Sequence, residues 1–109
     1  MNKYKLKTYI DDNGKEIITE WLNSLDGTTK KRIAIRLRRV ENGNFGDYKQ
    51  LNCSLYELRF DFGGGIRIYY TIEGDTVVLL INGGNKKTQS KDILKANKIV
   101  ETLKGAINE

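Results

Sequence analysis

Two stretches of alternating side chains, separated by a glycine pair, constrain the fold of this chain more than any other feature. Residues 55–61 and 65–73 alternate apolar and polar side chains, and Phe62-Gly63-Gly64 lies between them. Alternation with a period of two is typical of β-strands with one buried face, and glycine supplies the backbone freedom that a tight connection needs. The sequence therefore predicts a β-hairpin with two unlike faces.

The two faces of this hairpin carry different chemistry. Apolar side chains share one face: Tyr56, Leu58 and Phe60 of the first strand, and Ile66, Ile68, Tyr70 and Ile72 of the second. By the same parity, the opposite face carries Glu57, Arg59 and Asp61 beside Arg67, Tyr69 and Thr71. The first face must pack on a core, and the second gathers two arginines, a glutamate and a tyrosine.

The remaining patterns predict a strand, two helices, a further strand and a last helix. The strand covers residues 3–10, with Tyr4, Leu6 and Ile10 as its apolar stripe. Helical spacing runs from Lys15 to about Asp26-Gly27, and again from a cap at Thr28 or Thr29 to about Glu41. Residues 76–81 read as a central strand, and residues 82–89 as a loop. A helix from about Ser90 has the inner stripe Ile93, Ala96, Val100, Leu103 and Ile107.

The order β-α-α-β-β-β-α predicts an α+β fold. We expect a twisted, mainly antiparallel, four-stranded sheet with a helical hairpin and a C-terminal helix packed on it. Nothing in residues 1–109 resembles a linker or a repeat, so one domain is expected.

Composition excludes several classes of function. The chain has 109 residues, one Cys and no His, which argues against a disulfide framework, a His/Cys zinc site and every catalytic scheme that needs imidazole. No cofactor or metal is expected. No apolar run approaches the roughly 20 residues that span a bilayer, and no secretory signal is visible, so a cytoplasmic protein without a membrane partner is expected.

The positive charge is concentrated in one helix. Net charge is +5, and four of the six arginines fall within residues 32–39. Helical spacing places Arg32, Arg36 and Arg39 on one flank. This flank is either an interaction surface for phosphate or an acidic partner, or a solvated face balanced in part by Glu41 and Asp26.

The polar face of the hairpin is the more specific candidate site. If Arg59 and Arg67 face the same space, their guanidinium forks match phosphate oxygens. The alternative is a structural cross-strand pair, Glu57–Arg67 or Asp61–Arg59. Residues 83–89 lead into a helix, where glycine admits a ligand and the helix N-terminus favours anions, but the spacing of a Walker A loop is absent.

Several motifs in a fixed order resemble a known family. These are Tyr56-Glu57-Leu58-Arg59, then Gly65-Ile66-Arg67-Ile68-Tyr69-Tyr70, then Gly83-Gly84-Asn85-Lys86-Lys87-Thr88-Gln89 with Asp92-Ile93. They resemble the RelE/HigB superfamily of bacterial toxins, and within it the phage-derived, addiction-module killer branch. The resemblance covers nearly the whole chain.

The resemblance implies a ribosome-dependent endoribonuclease that cleaves mRNA without a metal. It implies a cognate antitoxin of the helix-turn-helix type, through which alone operator DNA is contacted, with the ribosome and mRNA as the other partners. Family positions fall on Glu57 and Arg59, on Arg67 and on Lys86. We assign Arg59 and Arg67 to charge stabilisation, Glu57 to the general base, and Lys86 to acid or electrostatic assistance. The residues expected to bind RNA or the ribosome are Arg32, Arg36, Arg39, Tyr69, Lys87 and Gln89.

Two features leave other functions open. The tyrosine that some relatives carry in the last helix falls near Asp92, and the active-site histidine of others has no counterpart. The alternatives are a ParE-like toxin that acts on DNA gyrase, and a domain that binds an antitoxin and represses transcription without activity.

Overall fold

The computed structural model describes residues 3–108, with side chains described through residue 105. Its elements are β1 (Lys5–Thr8), α1 (Ile17–Asn23), α2 (Gly27–Glu41), β2 (Tyr48–Gln50), β3 (Tyr56–Arg59), β4 (Arg67–Glu73), β5 (Val77–Gly84) and α3 (Gln89–Asn108). Among the described residues, no helix combines the length and the hydropathy that a bilayer crossing requires.

The strands form one mixed sheet in the order β1-β5-β4-β3-β2. Strand β1 runs parallel to β5, and the other neighbours are antiparallel, so the predicted α+β class and mainly antiparallel sheet are confirmed. The strand count differs, because the sheet has five strands instead of four. The additional strand, β2, has three residues that are all exposed, so it leaves no alternation of apolar and polar side chains by which to detect it.

The register of β3 against β4 confirms the two predicted faces. Glu57 lies opposite Tyr69, and Arg59 lies opposite Arg67. Directly opposed residues of neighbouring strands project to the same side of a sheet. The two arginines, the glutamate and the tyrosine therefore share one face of the hairpin.

Helices α1 and α2 cover the apolar face. Ile18, Ile33 and Val40 of the helices pack with Leu58 and Ile68 of the sheet, and all five are buried. Apolar burial of this kind contributes about 1.5–3 kcal/mol for each large side chain. The core therefore fixes α1 and α2 against the sheet face opposite the charged residues.

Helix α3 covers part of the other face. Ala96 and Val100 pack there against Tyr69 and Ile81, with Ile93 at the margin. The predicted inner stripe of the last helix is confirmed for these residues, and Leu103 is half-buried. The side chain of Ile107 lies outside the described residues. The two cores thus lie on opposite faces of the sheet, and neither includes the charged residues at the end of the hairpin.

The helix cap and the strand limits differ from the sequence expectations. Asp26, not Thr28 or Thr29, caps α2: its carboxylate accepts hydrogen bonds from the Thr29 hydroxyl at 2.6 Å and from the Thr29 backbone N–H at 3.2 Å. These bonds stabilise the ionised form and lower the pKa of Asp26. Strand β1 ends before Ile10, which is exposed, and β5 continues past residue 81 to Gly84.

Candidate functional site: a cationic cleft

An open cleft of about 400 Å³ lies at the end of the β3–β4 hairpin. Arg59, Arg67 and Lys86 all line it, as do Asp47 and Asp61. Arg59 and Arg67 come from the two strands of one hairpin, and Lys86 comes from the loop that follows β5. The sheet register and the loop after β5 therefore bring together the three basic side chains to which the sequence assigned a phosphate role.

A glycine in the hairpin loop makes room for Lys86. Gly65 has φ +81°, and a Cβ at this position would lie 2.8 Å from Cγ of Lys86. The backbone N–H of Lys86 also donates a long hydrogen bond to the Gly64 carbonyl, at 3.4 Å. The hairpin loop thereby holds the loop after β5, and the stem of Lys86 crosses it to reach the cleft.

Glu57 lies behind the cleft and bridges the two arginines. Its Oε1 is 3.6 Å from Nε of Arg59 and 3.8 Å from Nε of Arg67. Its Oε2 accepts a hydrogen bond from Nε2 of Gln89 at 2.7 Å. The carboxylate is 1% exposed. The sequence analysis gave two cross-strand ion pairs as the alternative to a phosphate site. The Glu57–Arg67 pair is present. Among the described side chains, Arg59 pairs with Glu57 and not with Asp61.

Arg67 is held in a fixed position by its neighbours. Its side chain is buried, and Nη1 donates hydrogen bonds to the carbonyls of Ile66 at 3.1 Å and Phe60 at 3.4 Å. Its Nε has no hydrogen-bond partner among the described residues. Arg59 is half-buried and more accessible. The pair therefore combines a rigid guanidinium with one that can adjust to a ligand.

The buried position of Tyr69 contradicts its predicted contact with RNA. Tyr69 has no exposed surface and packs under α3 against Ala96 and Val100. Burial, and then the negative charge of Glu57 beside its hydroxyl, raise the pKa of Tyr69. The parity argument placed Tyr69 on the correct face, but the last helix covers that part of the face.

Arg36 also has a structural role in place of the predicted RNA contact. Its guanidinium donates to the carbonyls of Phe45 at 3.0 Å, Arg59 at 3.0 Å and Asp47 at 2.7 Å. Three backbone carbonyls from two segments are thereby tied to one side chain. Arg36 holds the chain before β2 against the end of β3, and this contact supports the rim of the cleft.

Arg32 and Arg39 remain exposed beside the cleft. The Arg32 guanidinium lies 3.7 Å from the centroid of the Phe62 ring, in a cation–π contact. Arg32 and Arg39 line a second groove with Phe60, and Phe60 also lines the first cleft. The two grooves therefore adjoin at Phe60. Lys87 is exposed on the loop that also carries Lys86.

The glycine pair at the end of β5 serves packing and not ligand approach. A Cβ at Gly83 would lie 2.5 Å from the Trp21 ring, and one at Gly84 would lie 1.9 Å from Oδ2 of Asp92. Gly83 thus admits α1 on one face, and Gly84 admits the first turn of α3 on the other. The loop itself is shorter than predicted and spans residues 85–88.

Lys49 is a basic residue of this face that sequence reasoning missed. It lies opposite Glu57 in the β2–β3 register and is exposed. Because β2 shows no alternation, only its pairing with β3 reveals on which side Lys49 projects. Among the described residues, no group of three or more His, Cys, Asp or Glu side chains is arranged to hold a metal ion.

The fold places the chain in a known structural class. It is similar to the structure of a doubly substituted variant of the Escherichia coli toxin RelE in the free state, with a TM-score of 0.60 and 16% identity. The match covers 88% of this chain and 94% of that one. The protein therefore has the RelE fold.

Sequence comparison defines the family more narrowly. Residues 20–104 match the model of the family described as phage derived protein Gp49-like (DUF891), and the chain belongs to this family. It is 40% identical over 84 residues to an uncharacterized protein of Haemophilus influenzae, a match that covers 76% of this chain and 85% of that protein. The predicted phage-derived family is thereby confirmed, and the structural match confirms the predicted RelE-like fold.

Proposed function

We propose that this protein is the toxin of a type II toxin–antitoxin module and cleaves mRNA on the ribosome. One observation carries the proposal: Arg59, Arg67 and Lys86 line a single cleft on the sheet. Membership of the Gp49-like family and the RelE fold support the same function. A cognate antitoxin, of the helix-turn-helix type that the resemblance implies, neutralises the activity.

The chemistry is an attack of a ribose 2′-OH on the adjacent phosphorus. The 2′-OH gives up its proton to water as it attacks, the bond from phosphorus to the 5′ oxygen breaks, a 2′,3′-cyclic phosphate forms, and the leaving strand takes up a proton to end in a 5′-OH. Negative charge builds on the phosphorane, and fixed guanidinium groups stabilise it more in the transition state than in the ground state. Arg59 and Arg67 supply this charge.

The two candidates for proton transfer differ in their access to the cleft. Lys86 is exposed and lines the cleft, whereas Glu57 is buried behind the arginines. A group that transfers a proton must come within hydrogen-bond reach of the substrate. We therefore assign Lys86 to the leaving 5′ oxygen, as acid or as electrostatic assistance. Glu57, which the sequence analysis assigned to the general base, is given the role of holding the two arginines in place.

Cleavage should depend on the ribosome because the cleft offers few side chains for acid–base catalysis. With no imidazole in the chain, much of the rate enhancement must come from orientation of the 2′-OH in line with the leaving oxygen. Positioning of reactants can supply about 7–11 kcal/mol. The exposed Arg32, Arg39, Lys49 and Lys87 lie on elements or loops that contribute to the cleft or adjoin it, and they are the proposed contacts to ribosomal or messenger RNA.

The test is induction of the protein in bacteria, with primer extension on bulk mRNA. The wild type is expected to arrest growth and to produce new 5′ ends inside codons, while Arg67→Ala loses both effects. Arg38→Ala is the matched control, because Arg38 is an exposed arginine of α2 that does not line the cleft.

Each other outcome identifies a different function. Growth arrest without mRNA cleavage, accompanied by DNA damage, would contradict the nuclease and indicate a gyrase-directed toxin. Equal arrest by the wild type and Arg67→Ala would remove the catalytic assignment of the cleft. Absence of any toxicity would favour a protein that only binds an antitoxin.

A further inference from the structure

We propose that Gln89 is a positioning residue of the cleft, whose side-chain amide holds Glu57 so that its other oxygen lies between Arg59 and Arg67. This inference rests on the proposed function. Gln89 was predicted to bind RNA, but its amide nitrogen donates to Oε2 of Glu57 at 2.7 Å. It therefore acts on the substrate through Glu57 and the two guanidinium groups.

The distances around Glu57 show why this hydrogen bond matters. The carboxylate is 1% exposed, so water cannot easily replace a missing donor. Its contacts with Arg59 and Arg67 are 3.6 and 3.8 Å long, beyond the usual range of a hydrogen bond. Among the described side chains, Gln89 makes the short contact with this group. Loss of a donor to a buried carboxylate leaves the group free to turn towards other donors.

The place of Gln89 in the fold links the two parts of the cleft. Gln89 is the first residue of α3 and directly follows the loop 85–88, which carries Lys86. Glu57 lies on β3 beside Arg59. A single hydrogen bond thus connects the segment that presents the ammonium group to the strand pair that presents the guanidinium groups.

This arrangement assigns Glu57 to positioning as well. A carboxylate behind both arginines, with one oxygen bound by an amide, orients the guanidinium planes towards the cleft. A misplacement of about 1 Å in such a constellation can cost on the order of 100-fold in rate. Substitution of Gln89 should therefore lower the rate of the chemical step and leave the affinity for the ribosome, which the exposed basic residues supply, nearly unchanged.

The experiment measures single-turnover cleavage of ribosome-bound mRNA as a function of pH. Gln89→Leu removes the donor and is expected to lower the rate about 10–100-fold at every pH. Gln89→Glu places two carboxyl groups in contact, and such a pair retains one proton until the pH rises well above the ordinary range of a carboxyl group. At low pH the shared proton restores the hydrogen bond, so the Gln89→Glu rate relative to wild type should rise steeply as the pH falls.

A matched control separates this effect from an added charge. Gln50→Glu introduces the same group on the exposed strand β2, and its rate relative to wild type should not change with pH. The ionisable and charged groups that surround Glu57 are common to all variants and cancel in these ratios. They are Lys49, Arg59, Arg67 and Tyr69, with Lys86 in the adjoining cleft and Asp92 near the Tyr69 hydroxyl.

The outcomes distinguish this inference from the proposed function. A wild type that does not cleave mRNA contradicts the proposed function itself. An active wild type with an equally active Gln89→Leu overturns the role of Gln89. An active wild type with identical pH profiles for Gln89→Glu and Gln50→Glu overturns it as well. Recovery of the Gln89→Glu rate at low pH can occur only in a folded protein. The Gln89→Glu variant therefore tests the role of Gln89 even if Gln89→Leu is destabilised.

Discussion

At the scale of single residues, the buried Glu57 determines how much positive charge the arginines offer a ligand. Two guanidinium groups face one carboxylate, so one positive charge is left uncompensated within this group. Lys86 adds a second at the open side of the cleft. Asp47 and Asp61 also line the cleft, so a phosphate that enters is attracted by guanidinium and ammonium groups that are already oriented and not by an excess of positive charge.

The other buried tyrosine of the hairpin gives a prediction on stability against pH. Tyr70 is 1% exposed, and its hydroxyl has no hydrogen-bond partner among the described residues. Burial, and then the neighbouring Tyr48 and Tyr56, raise the pKa of Tyr70 above its ordinary value of about 10. The pKa of Tyr70 is raised only in the folded state. The free energy of unfolding is therefore unaffected by this group below about pH 10, and it falls as the pH rises further because Tyr70 ionises more easily in the unfolded chain.

Tyr70→Phe should therefore change the free energy of unfolding by less than about 1 kcal/mol at pH 7.5. Above about pH 10 it should lose stability more slowly than the wild type. Urea denaturation at pH 7.5 and at pH 10.5–11 measures both quantities. The control is Tyr48→Phe, because Tyr48 is 52% exposed. Equal alkaline losses in the wild type and Tyr70→Phe would show that the Tyr70 hydroxyl is not desolvated.

At the scale of elements, the position of α3 depends on the absence of a side chain at Gly84. A Cβ there would lie 1.9 Å from Oδ2 of Asp92 and 2.5 Å from Oγ1 of Thr88. The Thr88 hydroxyl donates to Asp92 in the first turn of α3, and the Asn82 amide donates to the Asp92 carbonyl at 3.1 Å. The end of β5 and the start of α3 thus pack as one unit, and this unit places Gln89 over Glu57.

Gly84→Ala should move α3 and lower the free energy of unfolding by about 1–3 kcal/mol. Gly105→Ala, near the other end of α3, is the matched control for the same substitution. Gly105 lies inside α3 with nothing within 4 Å of an added Cβ, so its substitution should stabilise the protein by about 0.5–1 kcal/mol. Thermal or urea unfolding measures both changes. A neutral Gly84→Ala would show that α3 can shift without cost.

The elements also show what the sequence could and could not predict. The two-residue period of a strand placed four residues on one face: Glu57, Arg59, Arg67 and Tyr69. Side chains alternate between the faces of a sheet whether or not another element covers them. The period could not show that α3 covers Tyr69, since coverage depends on how far a helix extends over a sheet. For the same reason the contacts of Arg36 were missed: two of its three carbonyl acceptors, Phe45 and Asp47, belong to a loop whose path no periodicity records.

At the scale of the whole molecule, the two cores explain why the cleft lies where it does. Helices α1 and α2 cover one face of the sheet, and α3 covers part of the other. The uncovered part is the end of the β3–β4 hairpin, where Arg59 and Arg67 stand. The groove beside Arg32 and Arg39 of α2 shares Phe60 with this cleft, so part of the exposed charge of α2 lies near the same end.

The short strand β2 forms one edge of the sheet and of its charged face. It widens the charged face by one strand and adds Lys49 opposite Glu57. Three exposed residues carry no burial pattern, so only the assembled sheet reveals them. The α+β class, the helical hairpin and the central strands could be predicted from local patterns, whereas the edge of the sheet could not.

If Arg59 and Lys86 act on one phosphate, the effects of replacing them should depend on each other, and a double-mutant cycle measures this dependence. Single-turnover cleavage of ribosome-bound mRNA is measured for the wild type, Arg59→Ala, Lys86→Ala and the double variant, with Arg38→Ala as the baseline. Each single substitution should lower the rate about 10–1,000-fold. Groups that share a partner couple by about 0.5–3 kcal/mol, so the double variant should be faster than the product of the two losses predicts. Losses that multiply without coupling, or a rate unchanged in either single variant, would contradict a shared phosphate site.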